Sequence, residues 1–93
     1  PPLDKYGRMR LRYLKKHRPC TYTALLLSGK LYDDLHDADE TAQKILDQLI
    51  PQMAKDADVT EEMKASDPMR WIGMLNTIKA QVEEIIFSEI IYQ

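Results

Sequence analysis

Leu31, Leu35, Ala38, Ala42, Ile45, Leu49 and Met53 recur at steps of four and three along one stretch of this chain. An α-helix turns once every 3.6 residues, so those steps lay all of them on one stripe, whereas a strand would need steps of two. The spacing predicts a long helix from Lys30 to about Lys55 with a buried seam of 3.5-residue period. Pro51 falls inside it. A proline removes one backbone donor and crowds the preceding turn, so a kink of the last turn or an end near Ile50 is expected.

The remaining patterns are helical too. From Asp4 to His17, a turn of 100° per residue puts Met9, Tyr13, Tyr6 and His17 on one side, with Leu3 and Leu14 at its edge. Lys5, Arg8, Arg12, Lys15 and Lys16 fall on the other side. Pro1 and Pro2 precede this element and Pro19 follows its end. Cys20 to Ser28 reads as a short apolar helix that Gly29 ends or bends. Asp56 to Ser66 reads as a polar connector in which Thr60 can cap a short turn anchored by Met63. Asp67 as N-cap and Pro68 at the first helical position open a last helix. Its expected inward stripe is Trp71, Leu75, Ile78, Val82, Ile85 and Ile86, with Trp71 buried. The expected fold is all-α: a small helical bundle in one domain over 1–93, with a basic helix and a short helix packed on a pair of long antiparallel helices.

Charge divides the chain. The first thirty residues hold eight of the thirteen Lys and Arg but one acid, and the rest holds five bases against fourteen acids. A formal net charge of -2 therefore hides a positive block joined to a negative body. A concentrated positive field attracts polyanions whatever the total charge. Lys5, Arg8, Arg12, Lys15, Lys16 and Arg18 are the candidate nucleic-acid-binding residues. Arg10 lies on the apolar side, where it stacks on a tyrosine or pairs with an acid. The alternative is internal: the acidic face of the long helix could sit beside the basic helix and neutralise it.

Catalytic and metal chemistry find little footing. His36 and Glu40, or Asp33 and Asp37, have i, i+4 spacing, but a solvated face with Glu40 paired to Lys44 accounts for them. His17 reads as a buried or cap-like histidine. The lone Cys20 cannot form an intrachain disulfide and reads as a core cysteine in a reducing compartment. The sequence has no phosphate-binding glycine loop and no nucleophile or metalloprotease motif. No enzyme activity, no cofactor and no metal are expected. The longest charge-free apolar run, Cys20 to Gly29, is about half a membrane span, so no membrane association and a cytoplasmic location are expected. Phe87, Ile90 and Ile91 point away from the inward stripe, so they are expected to form the interface of a homodimer.

The segment YGRMRLRYLKKHRP, then LLLSGKL, then VTEEMKASDPMRWIGMLNTIKAQVEEIIFSEIIY resembles the transposon-encoded TnpV family from about Tyr6 to Tyr92. The resemblance implies a small protein carried on bacterial mobile elements beside site-specific recombinases. It also implies a further N-terminal segment that this chain, opening Pro1-Pro2-Leu3, lacks. Pro51 and Met74 depart from the pattern, which has uninterrupted helix at the first and often arginine at the second. The resemblance supplies no catalytic residues and raises the expectation that the basic helix meets DNA. The expected function is an accessory or regulatory, excisionase-like protein that binds DNA through that helix. The alternative is a helical interaction module that docks on a recombinase or other mobile-element protein, or self-associates, without touching DNA.

Overall fold

The computed structural model describes residues 2–93; Pro1, expected to precede the first helix, lies outside the described residues. The protein is all-α, with no strand among the described residues. Its elements are α1 (Lys5–His17), α2 (Pro19–Ser28), α3 (Leu31–Asp56), α4 (Glu61–Ser66) and α5 (Pro68–Ile86), followed by a π-helical turn (Phe87–Ile91). Among the described residues no helix is long and apolar enough to cross a membrane. The chain divides into two compact units, one of Pro1–Gln43 with Ile86–Gln93 and the other of Lys44–Ile85.

The first unit is built on Leu14, Leu31 and Leu35, all buried, with Leu3, Leu11, Tyr13, Tyr22 and Leu25 packed against them. Leu31 and Leu35 open the seam, and Ala38 and Ala42 continue it as buried positions. On α1 the buried residues are Tyr6, Gly7 and Leu14. The inner face is thus centred on Gly7, Arg10 and Leu14, spaced three and four apart, and not on Met9, Tyr13 and His17. His17, expected to be buried, is exposed. A fully buried leucine outweighs a tyrosine that keeps its hydroxyl in water, so the helix turns to sink Leu14.

Helix α2 corrects a second expectation. Every residue of it is exposed or half-buried, and Cys20 is exposed, not a core cysteine. Only Tyr22 and Leu25 reach the core. Gly29 ends α2 in the left-handed region, at φ 74°, and the Lys30 amide donates to the Leu25 carbonyl at 3.0 Å. That pattern suits a residue without Cβ.

The C-terminal turn explains a third difference. Ile91, expected on a surface shared between two copies, is fully buried within the chain, and Phe87 and Ile90 are half-buried. The Tyr92 amide donates to the Phe87 carbonyl at 2.9 Å, a bond that spans five residues. A π-turn stacks residue i+5 above residue i, where an α-helix would carry it to the other side. Ile86 and Ile91, five apart, are both fully buried for that reason.

In the second unit α3 runs through Pro51 to Asp56, so the helix does not end near Ile50. Thr60 caps α4 by accepting from the Met63 amide at 3.2 Å. Asp67 caps α5 by accepting from the Arg70 amide at 3.2 Å, ahead of Pro68. Ile78 and Val82 are buried as the stripe requires, but Ile85 is 39% exposed and Trp71 is only half-buried. The Lys64 ammonium lies 4.8 Å from the centroid of the Trp71 ring, so the indole links α4 to the start of α5. A complete core tryptophan costs about 3–5 kcal/mol to truncate. Trp71→Ala is expected to cost roughly half of that, read as a shift in the urea midpoint; a loss at the top of the range would place the ring in the core after all.

Candidate nucleic-acid interface

Helix α1 is held from the inside by two carboxylates of α3. Asp39, 9% exposed, accepts from the Gly7 amide at 2.6 Å and from the Asp4 amide at 2.9 Å. Asp4 occupies the N-cap position of α1, but its own side chain makes no capping bond. A carboxylate from another helix therefore satisfies the donors that open α1, and its charge complements the positive end of the helix dipole. Gly7 makes the approach possible. A Cβ there would collide with the Asp39 carboxylate and lie 3.0 Å from the Leu35 carbonyl.

Arg10 is the second anchor. Its Nε donates to Asp34 at 2.6 Å, and its Nη1 donates to the Ile90 and Ile91 carbonyls at 3.0 and 3.2 Å. Its side chain is 12% exposed, against 28% for Asp34. One guanidinium so joins α1, α3 and the π-turn, using the fork geometry that a lysine lacks. The last carbonyls of a helix have no partner along the chain and carry its negative dipole end, so a cation there is favourable. Of the two roles expected for Arg10, pairing with an acid is the one observed.

The outer face carries the six candidate cations, all exposed: Lys5, Arg8, Arg12, Lys15, Lys16 and Arg18. Arg8 donates through Nη1 to the Leu3 carbonyl at 2.8 Å. The Lys5 and Lys15 ammonium groups lie 5.4 and 5.6 Å from the ring centroids of Tyr6 and Tyr22. These contacts leave the positive charges in place and orient their stems. Arg12, Lys16 and Arg18 take part in no ion pair among the described residues.

Beside Arg12 and Lys16 lies an open groove of about 310 Å³, lined also by Met9, Tyr13, His17 and Tyr92. The Tyr13 ring centroid is 5.2 Å from that of His17 and 5.2 Å from that of Tyr92. Among the described residues no three His, Cys, Asp or Glu side chains converge as metal ligands would. His36 instead stands 5.9 Å from the Tyr32 ring, with its Nε2 buried and unpartnered.

Periodicity found the six cations and missed Asp34, Asp39 and Tyr92. A cue for Asp39 was present: it lies four residues after Leu35 and three before Ala42, on the buried stripe. A carboxylate on such a stripe needs a donor.

The model of the family described as transposon-encoded protein TnpV matches residues 1–91. The chain belongs to that family. As a TnpV chain it is a transposon-associated accessory protein. The matched stretch contains the whole of α1, its two α3 anchors and the carbonyls that Arg10 engages, while Tyr92 stands one position beyond it. No curated protein and no solved structure matches the chain.

The two classes of arginine on α1 are expected to behave differently. Arg10→Ala should cost about 1.5–3 kcal/mol, because Asp34 and the terminal carbonyls lose a charged donor. Arg12→Ala, also one cation removed, should stay within about 0.5 kcal/mol. Urea denaturation of both variants checks this; equal losses would contradict the division into an inner and an outer face.

Proposed function

We propose that this TnpV protein is a non-enzymatic DNA-binding accessory of its mobile element, with an excisionase-like or regulatory role, and that it holds DNA by its phosphates along the outer face of α1. One observation carries the reading. The α3 carboxylates Asp34 and Asp39 act on Arg10 and on the helix N-terminus, and Arg12, Lys16 and Arg18 take part in no ion pair among the described residues, which supports their availability to a polyanion. Lys5, Arg8, Arg12, Lys15, Lys16 and Arg18 neutralise phosphates, and sequence choice comes from elsewhere. Family membership supports this by association, since accessory proteins of mobile elements work where DNA is cut and joined.

A second reading has its own support. Helix α2 carries no charge, and it exposes Leu26 at 51% and Leu27 at 81%. Pro19, Cys20, Thr23 and Ala24 line an open apolar groove with Leu27. An uncharged, half-bare helix suits a protein partner such as a recombinase, or a second copy of this chain. Dimerisation through the C-terminal turn is now less suited, because Ile91 is already buried.

Three or four phosphate contacts per copy fit one face of α1. Log affinity for duplex DNA should then fall against log salt with a slope of about -3 to -4, at about -0.9 per phosphate. Replacing Arg8, Arg12 and Lys15 by Ala should flatten the slope and leave the far-UV circular dichroism unchanged. Salt-independent binding, or full binding by the triple variant, would overturn the phosphate contact along α1, and no DNA binding even at low salt would favour the interaction module.

A further inference from the structure

We infer that the groove beside Arg12 and Lys16 takes unpaired nucleotides of a DNA strand, with His17, Tyr13 and Tyr92 as the surface on which bases stack. This rests on the DNA-binding reading above and adds a specific site to it. The observation is the way two kinds of side chain run together. Met9 and Tyr13, then Tyr13 and His17, are four apart on α1, as are Arg12 and Lys16. Residues at that spacing stack along a helix about one turn apart. The groove therefore has an aromatic row and a cationic row running the same way, with Tyr92 extending the aromatic row from the C-terminal turn. The row continues to Phe87, whose ring centroid is 5.9 Å from that of Tyr92.

Each feature narrows the ligand. Arg12 and Lys16, exposed and with no ion pair among the described residues, suit an anionic backbone. An acidic peptide would satisfy them but has no use for a row of rings. Tyr92 is 49% exposed and His17 is exposed, so both offer ring surface to a ligand. Duplex bases have their faces covered by their neighbours, so only an unpaired base can lie on a side-chain ring. Phosphates along one edge and flat apolar rings along the other describe a single strand. The outer cations Arg8 and Lys15 lie along the same helix to hold the adjoining duplex, which would set the protein where paired DNA opens.

The test compares two fluorescent twelve-nucleotide strands, oligo-dT and an abasic strand with the same phosphates, together with a duplex of equal length. With the intact chain, oligo-dT is expected to bind roughly tenfold or more tightly than the abasic strand, as stacking of one or two bases provides. Tyr92→Ala should remove that difference without changing abasic or duplex binding. Tyr92→Phe should keep it, and His17→Ala, at an exposed position of α1, should reduce it. Arg12→Ala with Lys16→Ala should weaken both strands. Equal binding of oligo-dT and the abasic strand, with an intact salt-dependent duplex affinity, would overturn the stacking groove and leave the DNA-binding reading standing. Binding of none of the three at low salt would overturn both.

Discussion

A buried carboxylate that reaches two backbone amides of a neighbouring helix decides how α1 lies. Asp39 meets the Asp4 and Gly7 amides, and the closeness of that contact is permitted only by the bare Cα of Gly7. A charge taken out of water must find donors. Here it finds them at the one place where a helix has spare N–H groups and a positive dipole end. Arg10 repeats the arrangement with opposite sign at the C-terminal turn, where spare carbonyls wait. The first unit is thereby tied by helix ends as much as by its leucines.

That arrangement gives two carboxylates of the acidic helix, Asp34 and Asp39, an inward role. Had α3 laid its carboxylates along Arg8, Arg12 and Lys15, the positive block would have been cancelled internally. Instead Asp34 and Asp39 act on the inner face, through one guanidinium and two amides. The same residues that fix α1 so leave its outer cations facing water. Fold and proposed DNA contact are linked at this point: the anchoring of the helix is what keeps its other face usable.

The helices were legible because apolar spacing and caps are local. The seam from Leu31, the Thr60 and Asp67 caps and the stop at Gly29 needed no knowledge of distant residues. Much of what failed depended on partners elsewhere in the chain. The wheel of α1 is ambiguous between the Tyr13 and Leu14 sides, and only contact with Leu31 and Leu35 decides it. Arg10 looked like an outlier on an apolar side because its acid lies 24 residues on and its carbonyls lie 80 and 81 residues on. A straight-helix projection placed Ile91 outside, and the π-turn brought it in. The six cations were legible as a set, but the ring of Tyr92 beside them was not, since nothing in the local pattern joins the last residues to α1.

The thermal midpoint of Gly7→Ala tests the central claim most directly. In a helix held only by its side-chain stripe, alanine for an interior glycine stabilises by about 0.5–1 kcal/mol. If Asp39 caps α1 across the Gly7 position, the added methyl pushes the carboxylate off both amides. The midpoint should then fall by several degrees, and much of that loss should vanish when Asp39 is also alanine, since the two substitutions remove the same contact. A Gly7→Ala protein that melts higher than the parent would contradict the account.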